Sequence, residues 1–348
     1  MEYYFLDRVP WGDSQSLYHA SAYLGREMLI ICRPATPYFC LGCHQDARQE
    51  IDLDYTRQHG IPLLRREVGG GAVYLDGEQL FYQFILRKDH PGLPASKSDL
   101  YSMLLKPVVE TYRQFGVAAE FRTVNDIIAN GRKVSGNGAA EINNMIILVG
   151  NFILDFNYEM MTRVLRVPDE KFRDKVYKSL SENLSTFQRE TGSVPATEEL
   201  AGDLRRRVEA LLGPLEEKNS IDTALRRKAD ERFAEMYTDA WLYENDARKE
   251  RHPQVKIREG VFVLQKVVKL PGGLVRLTAT NQEGRLADVH LSGDFFIYPQ
   301  SALSSLEQAL EGTPLEAAAL TAAIQAFYAR EGIETPGITP EALAGVFL

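Results

Sequence analysis

Cysteine is scarce in this 348-residue chain: Cys32, Cys40 and Cys43 are the only three, and none follows residue 43. An odd number of thiols in one short span argues against a disulfide framework and for reduced cysteines. Cys40-Leu-Gly-Cys43 has CxxC spacing, but it has no second pair nearby and its flanks are β-like, so it reads as structural or pocket-lining. Long apolar runs are also missing. The nearest candidate, MIILVGNFIL over 145–154, is about half a membrane span and contains Asn151, so it reads as core strand. The opening MEYYFLDRVP has neither the basic region nor the apolar core of a signal peptide, so a cytoplasmic protein with no membrane partner is expected. Basic residues are outnumbered, 40 Lys and Arg against 48 Asp and Glu, giving a net charge of −8. Phosphate backbones want the opposite sign, so nucleic acid is not an expected partner. There is no GxxxxGK[ST] loop, and GNGAAE at 136–141 lacks the third glycine of GxGxxG. The six histidines have no ligand-like spacing, and no protein metal site is expected.

What is present is globular: 45% hydrophobic and 25% charged residues, with no low-complexity tract and no internal repeat. A cap at Asp13 or Ser14 opens a predicted helix over 13–25. Leu100, Leu104, Val108 and Tyr112 recur at helical spacing before Gly116, which predicts a helix over 99–115. Further helices are expected from Pro168 onward, over 197–212 and over 221–240. Segments 28–41, 61–65, 72–86 and 117–155 are β-leaning. The polar stretch ENDARKERHPQ at 244–254 reads as a linker. Beyond it, KIREGVFVLQKVVKL, LVRLTAT and LADVHL are joined by PGG and NQEGR, a hairpin pattern, and helices follow around 301–311 and 315–331. The chain therefore reads as α+β, with a large domain over 1–248 and a small β-then-α domain over 255–348.

Two short stretches carry the chemistry. RREVGGGAVY begins with Arg65 and Arg66 and runs through Gly69, Gly70 and Gly71 to Ala72 and Val73. Consecutive glycines weaken a strand, but they let backbone N–H groups approach an anion with no side chain in the way. By itself the stretch is also compatible with a flexible turn and two solvated cations. NDIIANGRKVSG gathers Asn125, Asp126, Lys133, Ser135 and Gly136 around an Asn130–Gly131 dipeptide. Such a dipeptide between apolar residues signals a tight hairpin, which would project Lys133 from a rigid strand.

Together, in this order and spacing, the two stretches resemble the lipoate–protein ligase A family of the biotin/lipoate ligase group, whose pattern is RRxxGGGxVxHD followed by ND…GxKxSG. The resemblance runs from about residue 28 to 190, and DVHLSGDFF at 288–296 is similar to that family's accessory domain. It implies a large mixed-sheet ligase domain of the biotin/lipoate type with a small C-terminal α+β accessory domain. It also implies ATP-dependent activation of lipoate to lipoyl-adenylate, with Mg2+ accompanying the phosphates. The acyl group would then pass to a lysine of a lipoyl carrier: an E2 subunit, a glycine-cleavage H protein or another lipoyl-binding protein. On this reading Lys133 is catalytic at the acyl–phosphate junction. Arg65, Arg66, Gly69, Gly70, Gly71, Ala72, Val73, Asn125, Asp126, Ser135 and Gly136 bind substrate or nucleotide. Val73–Tyr74 and Phe81–Ile85 are candidate walls for the acyl chain. The chain departs from the pattern at Leu75, where the family has histidine, and at Gly77-Glu78-Gln79, where it has Gly-Asn.

Other readings stay open. An octanoyltransferase of the same fold works through a cysteine downstream of the glycine turn, and this chain has none there. A biotin ligase would carry a GRGRxxR loop, which is absent. A non-catalytic lipoyl-carrier binding protein is suggested by Leu75 and opposed by the intact Arg66, glycines and Lys133. Octanoate is an alternative substrate to lipoate.

Overall fold

The computed structural model describes residues 1–122, 125–246, 256–258 and 261–348. It divides into two compact units, Met1–Leu41 with Arg48–Val68 and Val73–Leu242, and Gly42–Ala47 with Gly69–Ala72 and Tyr243–Leu348. From residue 247 on, the polar stretch at 244–254 lies outside the described residues.

The first unit begins β1 (Glu2–Val9), α1 (Asp13–Tyr23), β2 (Met28–Pro34), β3 (Tyr38–Leu41), α2 (Ala47–Glu50), α3 (Leu53–Gln58) and β4 (Leu63–Arg65). It continues β5 (Val73–Leu75), β6 (Gln79–Arg87), α4 (Lys97–Gln114), β7 (Ala119–Arg122), β8 (Asp126–Ala129), β9 (Arg132–Ile142) and β10 (Met145–Ile153). It closes with α5 (Tyr158–Val164), α6 (Glu170–Asn183), α7 (Phe187–Thr191), α8 (Thr197–Leu212), β11 (Glu216–Glu217), α9 (Thr223–Met236) and α10 (Asp239–Leu242). Eight strands form one sheet in the order β11-β1-β2-β6-β10-β9-β8-β7, and β4-β3-β5 form a second. The large sheet is mixed: β1 runs parallel to β2 and β11, while the pairs from β2 to β7 are antiparallel. A large mixed sheet is what the sequence resemblance implied.

Helix α1 is buried from Ser14 to Ala22 although Ser14, Gln15, Ser16, His19 and Ser21 are polar. Several of its polar atoms find partners inside: Gln15 Nε2 donates to Tyr38 Oη at 2.7 Å, Tyr18 Oη to Gln15 Oε1 at 2.8 Å, and Gln83 Nε2 to Ser14 O at 2.6 Å. Met28, Ile30, Phe81, Ile85 and Ile147 form the core around it. Phe81 and Ile85, candidate walls for the acyl chain, are thus also core residues. Helix α4 starts under the Ser96 cap and ends at Gln114, with Phe115 as its C-cap before Gly116, whose φ of 86° only glycine adopts freely. The β8–β9 hairpin turns through Asn130 (φ 50°) and Gly131 (φ 76°), the doubly left-handed pair that the Asn-Gly dipeptide signals.

In the second unit β12 (Lys256–Arg258), β13 (Val261–Leu270), β14 (Gly273–Gln282) and β15 (Arg285–Gly293) form an antiparallel meander. Helices α11 (Ala302–Leu310), α12 (Ala317–Glu331) and α13 (Pro340–Phe347) follow. Strand β14 buries alternate residues, Val275, Leu277 and Ala279, in a core with Leu306, Ile324 and Phe347. Helix α13 was not expected from the sequence, although Thr339 caps it and Pro340 occupies its first turn. No helix among the described residues is long and apolar enough to cross a membrane.

Candidate active site

The hairpin places Lys133 on β9 with its Nζ 2.6 Å from Asp126 Oδ1 on β8, both side chains about one-third exposed. The pair is diagonal: Asp126 lies opposite Gly136, and a bulge between Ile127 and Ile128 shifts the register before Lys133 meets Ile128. The Lys133 chain runs over Gly136, where an added Cβ would stand 3.5 Å from Lys133 Cε and 3.8 Å from Nζ. Thus Asp126, Lys133 and Gly136, three of the sequence candidates, meet at one place.

Beneath them lies a buried polar network. Asn151 Oδ1 on β10 accepts the Gly136 N–H at 3.0 Å, and Asn151 Nδ2 donates to Gln79 Oε1 at 2.8 Å. Gln79 Nε2 donates to Tyr74 O at 3.0 Å and reaches Asp76 Oδ1 at 3.4 Å. Tyr82 Oη on β6 lies 2.7 Å from Ser135 Oγ and donates to Asn137 Oδ1. Asn137 and Asn125 exchange side-chain-to-backbone bonds, Asn137 Nδ2 to Asn125 O at 2.9 Å and Asn125 Nδ2 to Asn137 O. Gly150 leaves room for this: an added Cβ would stand 2.1 Å from Asn137 Oδ1 and 2.5 Å from Tyr82 Oη. Ser135 and Asn125, also sequence candidates, belong to this network. Gln79, Tyr82, Asn137 and Asn151 were missed; the visible signal was a lone asparagine in the apolar run at 145–154. Burial pushes the Asp76 carboxyl up against the pull of the Glu78 N–H, and pushes the Tyr82 hydroxyl well up.

The arginines differ from each other. Arg65, at the end of β4, is fully buried and donates Nε to Leu242 O at 3.0 Å and to Trp241 O at 3.2 Å, and Nη2 to Leu242 O at 2.7 Å. Those donors serve the C-terminal carbonyls of α10. Arg66 donates its N–H to Leu41 O at 3.0 Å and Nη1 to Cys40 O at 3.2 Å. The Cys40 thiol is pushed up by burial. Val73 and Tyr74 lie on β5 opposite Cys40 and Phe39.

In the second unit the glycines have distinct reasons. A Cβ on Gly69 would stand 2.7 and 2.9 Å from the Phe296 ring. Gly70 has φ 98°, and its carbonyl oxygen would be 1.8 Å from a Cβ on Gly42. Gly71 faces Asp294 at ordinary contact distance, 3.6 Å, so the described packing does not demand a glycine there. Ala72 follows it into β5. Among the described residues no group of three or more His, Cys, Asp or Glu side chains converges on a metal position.

The large sheet and its hairpin have the fold of lipoate protein ligases. A chain of an archaeal lipoylation system, described as a bi-partite lipoate protein ligase and its E2 lipoyl domain from Thermoplasma acidophilum, superposes with a TM-score of 0.61 at 26% identity over 72% of this chain and 98% of that one. Residues 9–208 match the lipoyl protein ligase A/B catalytic domain and residues 261–347 the bacterial lipoate protein ligase C-terminus, so the chain belongs to the lipoate–protein ligase family. Lipoate-protein ligase LplJ of Bacillus subtilis is 27% identical over 283 residues, 80% of this chain and 79% of that protein. Octanoyltransferase LipM of Kyrpidia tusciae is 23% identical over 229 residues, 60% of this chain and 83% of that protein.

Proposed function

We propose that the protein is an ATP-dependent lipoate–protein ligase of two domains, a catalytic one over 1–248 and an accessory one over 255–348. In the first step a lipoate carboxylate oxygen attacks the α-phosphorus of ATP, a P–O bond forms, and the bond to the β-phosphate breaks to release pyrophosphate. In the second, the ε-amine of a carrier lysine attacks the acyl carbon, AMP leaves, and the amine loses a proton as the amide forms. The observation that carries this reading is the Lys133 ammonium held 2.6 Å from Asp126 above Gly136, in a chain of this family.

Lys133 acts at the acyl–phosphate junction, where one compact cation serves both the acyl oxygen and the phosphate and keeps the reacting atoms aligned. Asn125, Asp126, Ser135 and Gly136 flank it on the nucleotide side. The amides from Gly69 through Gly71 to Ala72 and Val73, with Arg66, stabilise phosphate charge, and Arg65 holds the backbone that presents them. Magnesium would accompany the triphosphate and offset its negative charge. Tyr74 and the β6 side chains wall the acyl chain, whose burial is worth roughly 4–6 kcal/mol at about 0.8 kcal/mol per methylene. Octanoate, apolar and of related length, is a second acid for the same slot. The carrier is a lipoyl domain protein, an E2 subunit, an H protein or a relative. Mass spectrometry of such carriers incubated with ATP, magnesium and either acid tests this: one acyl group gained on one lysine supports it, and no gain overturns it.

The likeness to LipM supports a second reading, acyl transfer through an enzyme thioester. Against it, all three cysteines precede the glycine turn, and Cys32 and Cys40 are buried. A Cys40→Ala/Cys43→Ala protein that transfers acyl groups within a few-fold of wild type removes that reading; loss of transfer with adenylation intact restores it.

A further inference from the structure

Arg65 ends β4, and Arg66 and Glu67 lead on toward the glycine turn without forming regular structure, yet three helices grip residues 65–67. Glu67 is the centre of the grip. Its carboxylate accepts from Arg232 Nη2 on α9 at 2.6 Å and from Tyr23 Oη on α1 at 3.1 Å. Its backbone N–H donates to His19 Nε2 at 3.2 Å. His19 Nδ1 lies 2.7 Å from Gln15 O and burial pushes its pKa down to about 3, so the ring is neutral, with Nδ1 as donor and Nε2 as acceptor. Arg232 is itself buried, pairs also with Glu235, and lays its guanidinium 4.3 Å over the Tyr23 ring and 5.5 Å from the Trp241 ring. Trp241 completes the grip: its Nε1 donates to Arg65 O at 3.0 Å, while Arg65 answers to the carbonyls of 241 and 242. Helices α9 and α10 fall between the two family-matched segments, 9–208 and 261–347.

We propose that Arg232 is a positioning residue, which through Glu67 and Trp241 fixes the backbone of residues 65–67 and so sets how Arg66 meets the nucleotide phosphates. This rests on the ligase reading above. A buried, fork-shaped cation bonded to Glu67 while stacked beside Trp241 couples α9 to both sides of the motif, which a lysine can do only in part. Replacing it loosens the segment that meets ATP, not the acyl slot.

The test measures lipoate-dependent pyrophosphate release by the full chain against ATP and against lipoate. Arg232→Met is expected to raise the ATP KM about tenfold or more, with the lipoate KM within about twofold, because the loss falls on nucleotide alignment. Arg232→Lys recovers part of it. Arg207→Met, which breaks the pairs Arg207 makes with Asp203 and Glu110 far from this motif in sequence, lowers the melting temperature and leaves the ATP KM unchanged. If Arg232→Met does not fold, Glu67→Gln, of equal volume, carries the same test. An active wild type whose ATP KM is unmoved by the folded variant overturns this inference alone. A wild type that releases no pyrophosphate overturns the ligase reading and this inference with it.

Discussion

Asn151 Oδ1 accepts the backbone N–H of Gly136 at 3.0 Å, tying β10 to β9 under the side chain of Lys133. The other end of the same amide donates to Gln79 Oε1, so the Asn151 side chain satisfies one buried and one part-buried group at once. Asn151→Leu is nearly isosteric and leaves both unpaired. At about 1–3 kcal/mol per orphaned group, the loss is roughly 2–4 kcal/mol in denaturant unfolding. Pyrophosphate release should fall as well, because the strand under Lys133 loses its tether. A variant as stable as wild type would mean that the two groups find other partners.

Gly69 and Gly71 separate packing from function. Gly69→Ala drives a Cβ to 2.7 Å from the Phe296 ring and should cost about 1–3 kcal/mol, as overpacking does. Adding Phe296→Ala to it should relieve the clash. Gly71→Ala has only ordinary contacts, with Asp294, and should melt within a few degrees of wild type while weakening ATP binding several-fold. Calorimetry with ATP and a thermal scan on each variant check both halves.

Glu307 gives the second unit a pH dependence. Burial, with repulsion from Glu311, pushes its carboxyl up from an ordinary 4.5 to about 7, against the Leu291 N–H that Oε1 accepts at 2.6 Å. His290 Nδ1 stands 3.6 Å from the same oxygen. The folded state therefore holds the proton more tightly than the unfolded one. Its contribution is complete below about pH 4.5 and is lost as pH rises through about 7, on the order of 2 kcal/mol between pH 5 and 8. Glu307→Gln should flatten that slope and raise stability at pH 8. Unfolding at the two pH values, with α11 amide exchange to localise it, reads the effect; an unchanged slope counts against it.

Legibility in the sequence followed locality. The Asn130–Gly131 hairpin was readable because the turn dictates its own φ values. Helix α8 at 197–212 was readable because its apolar period and final glycine lie within one window. The short helices α5 and α7 carry too few turns for a period. Helix α13 carried a legible cap, Thr339 before Pro340, that went unread. The network of Gln79, Tyr82, Asn137 and Asn151 depends on the order β6-β10-β9, which no window contains. Arg65 and Arg66 looked equivalent as adjacent cations. What separates them is α10, which reaches Arg65 from far along the chain.

The central claim is that Lys133 drives adenylation of lipoate by ATP, and lipoate-dependent pyrophosphate release tests it most directly. Removing a preorganised cation of this kind typically costs about 10²–10³ in rate, roughly 3–4 kcal/mol. Lys133→Ala should lose that much while remaining folded, since its side chain is about one-third exposed. Lys133→Arg should recover little of it, because a planar fork does not replace a compact ammonium. Lys106→Ala, on the exposed face of α4, should behave as wild type. Pyrophosphate release by Lys133→Ala at near the wild-type rate, with lipoate present and ATP saturating, would contradict the account.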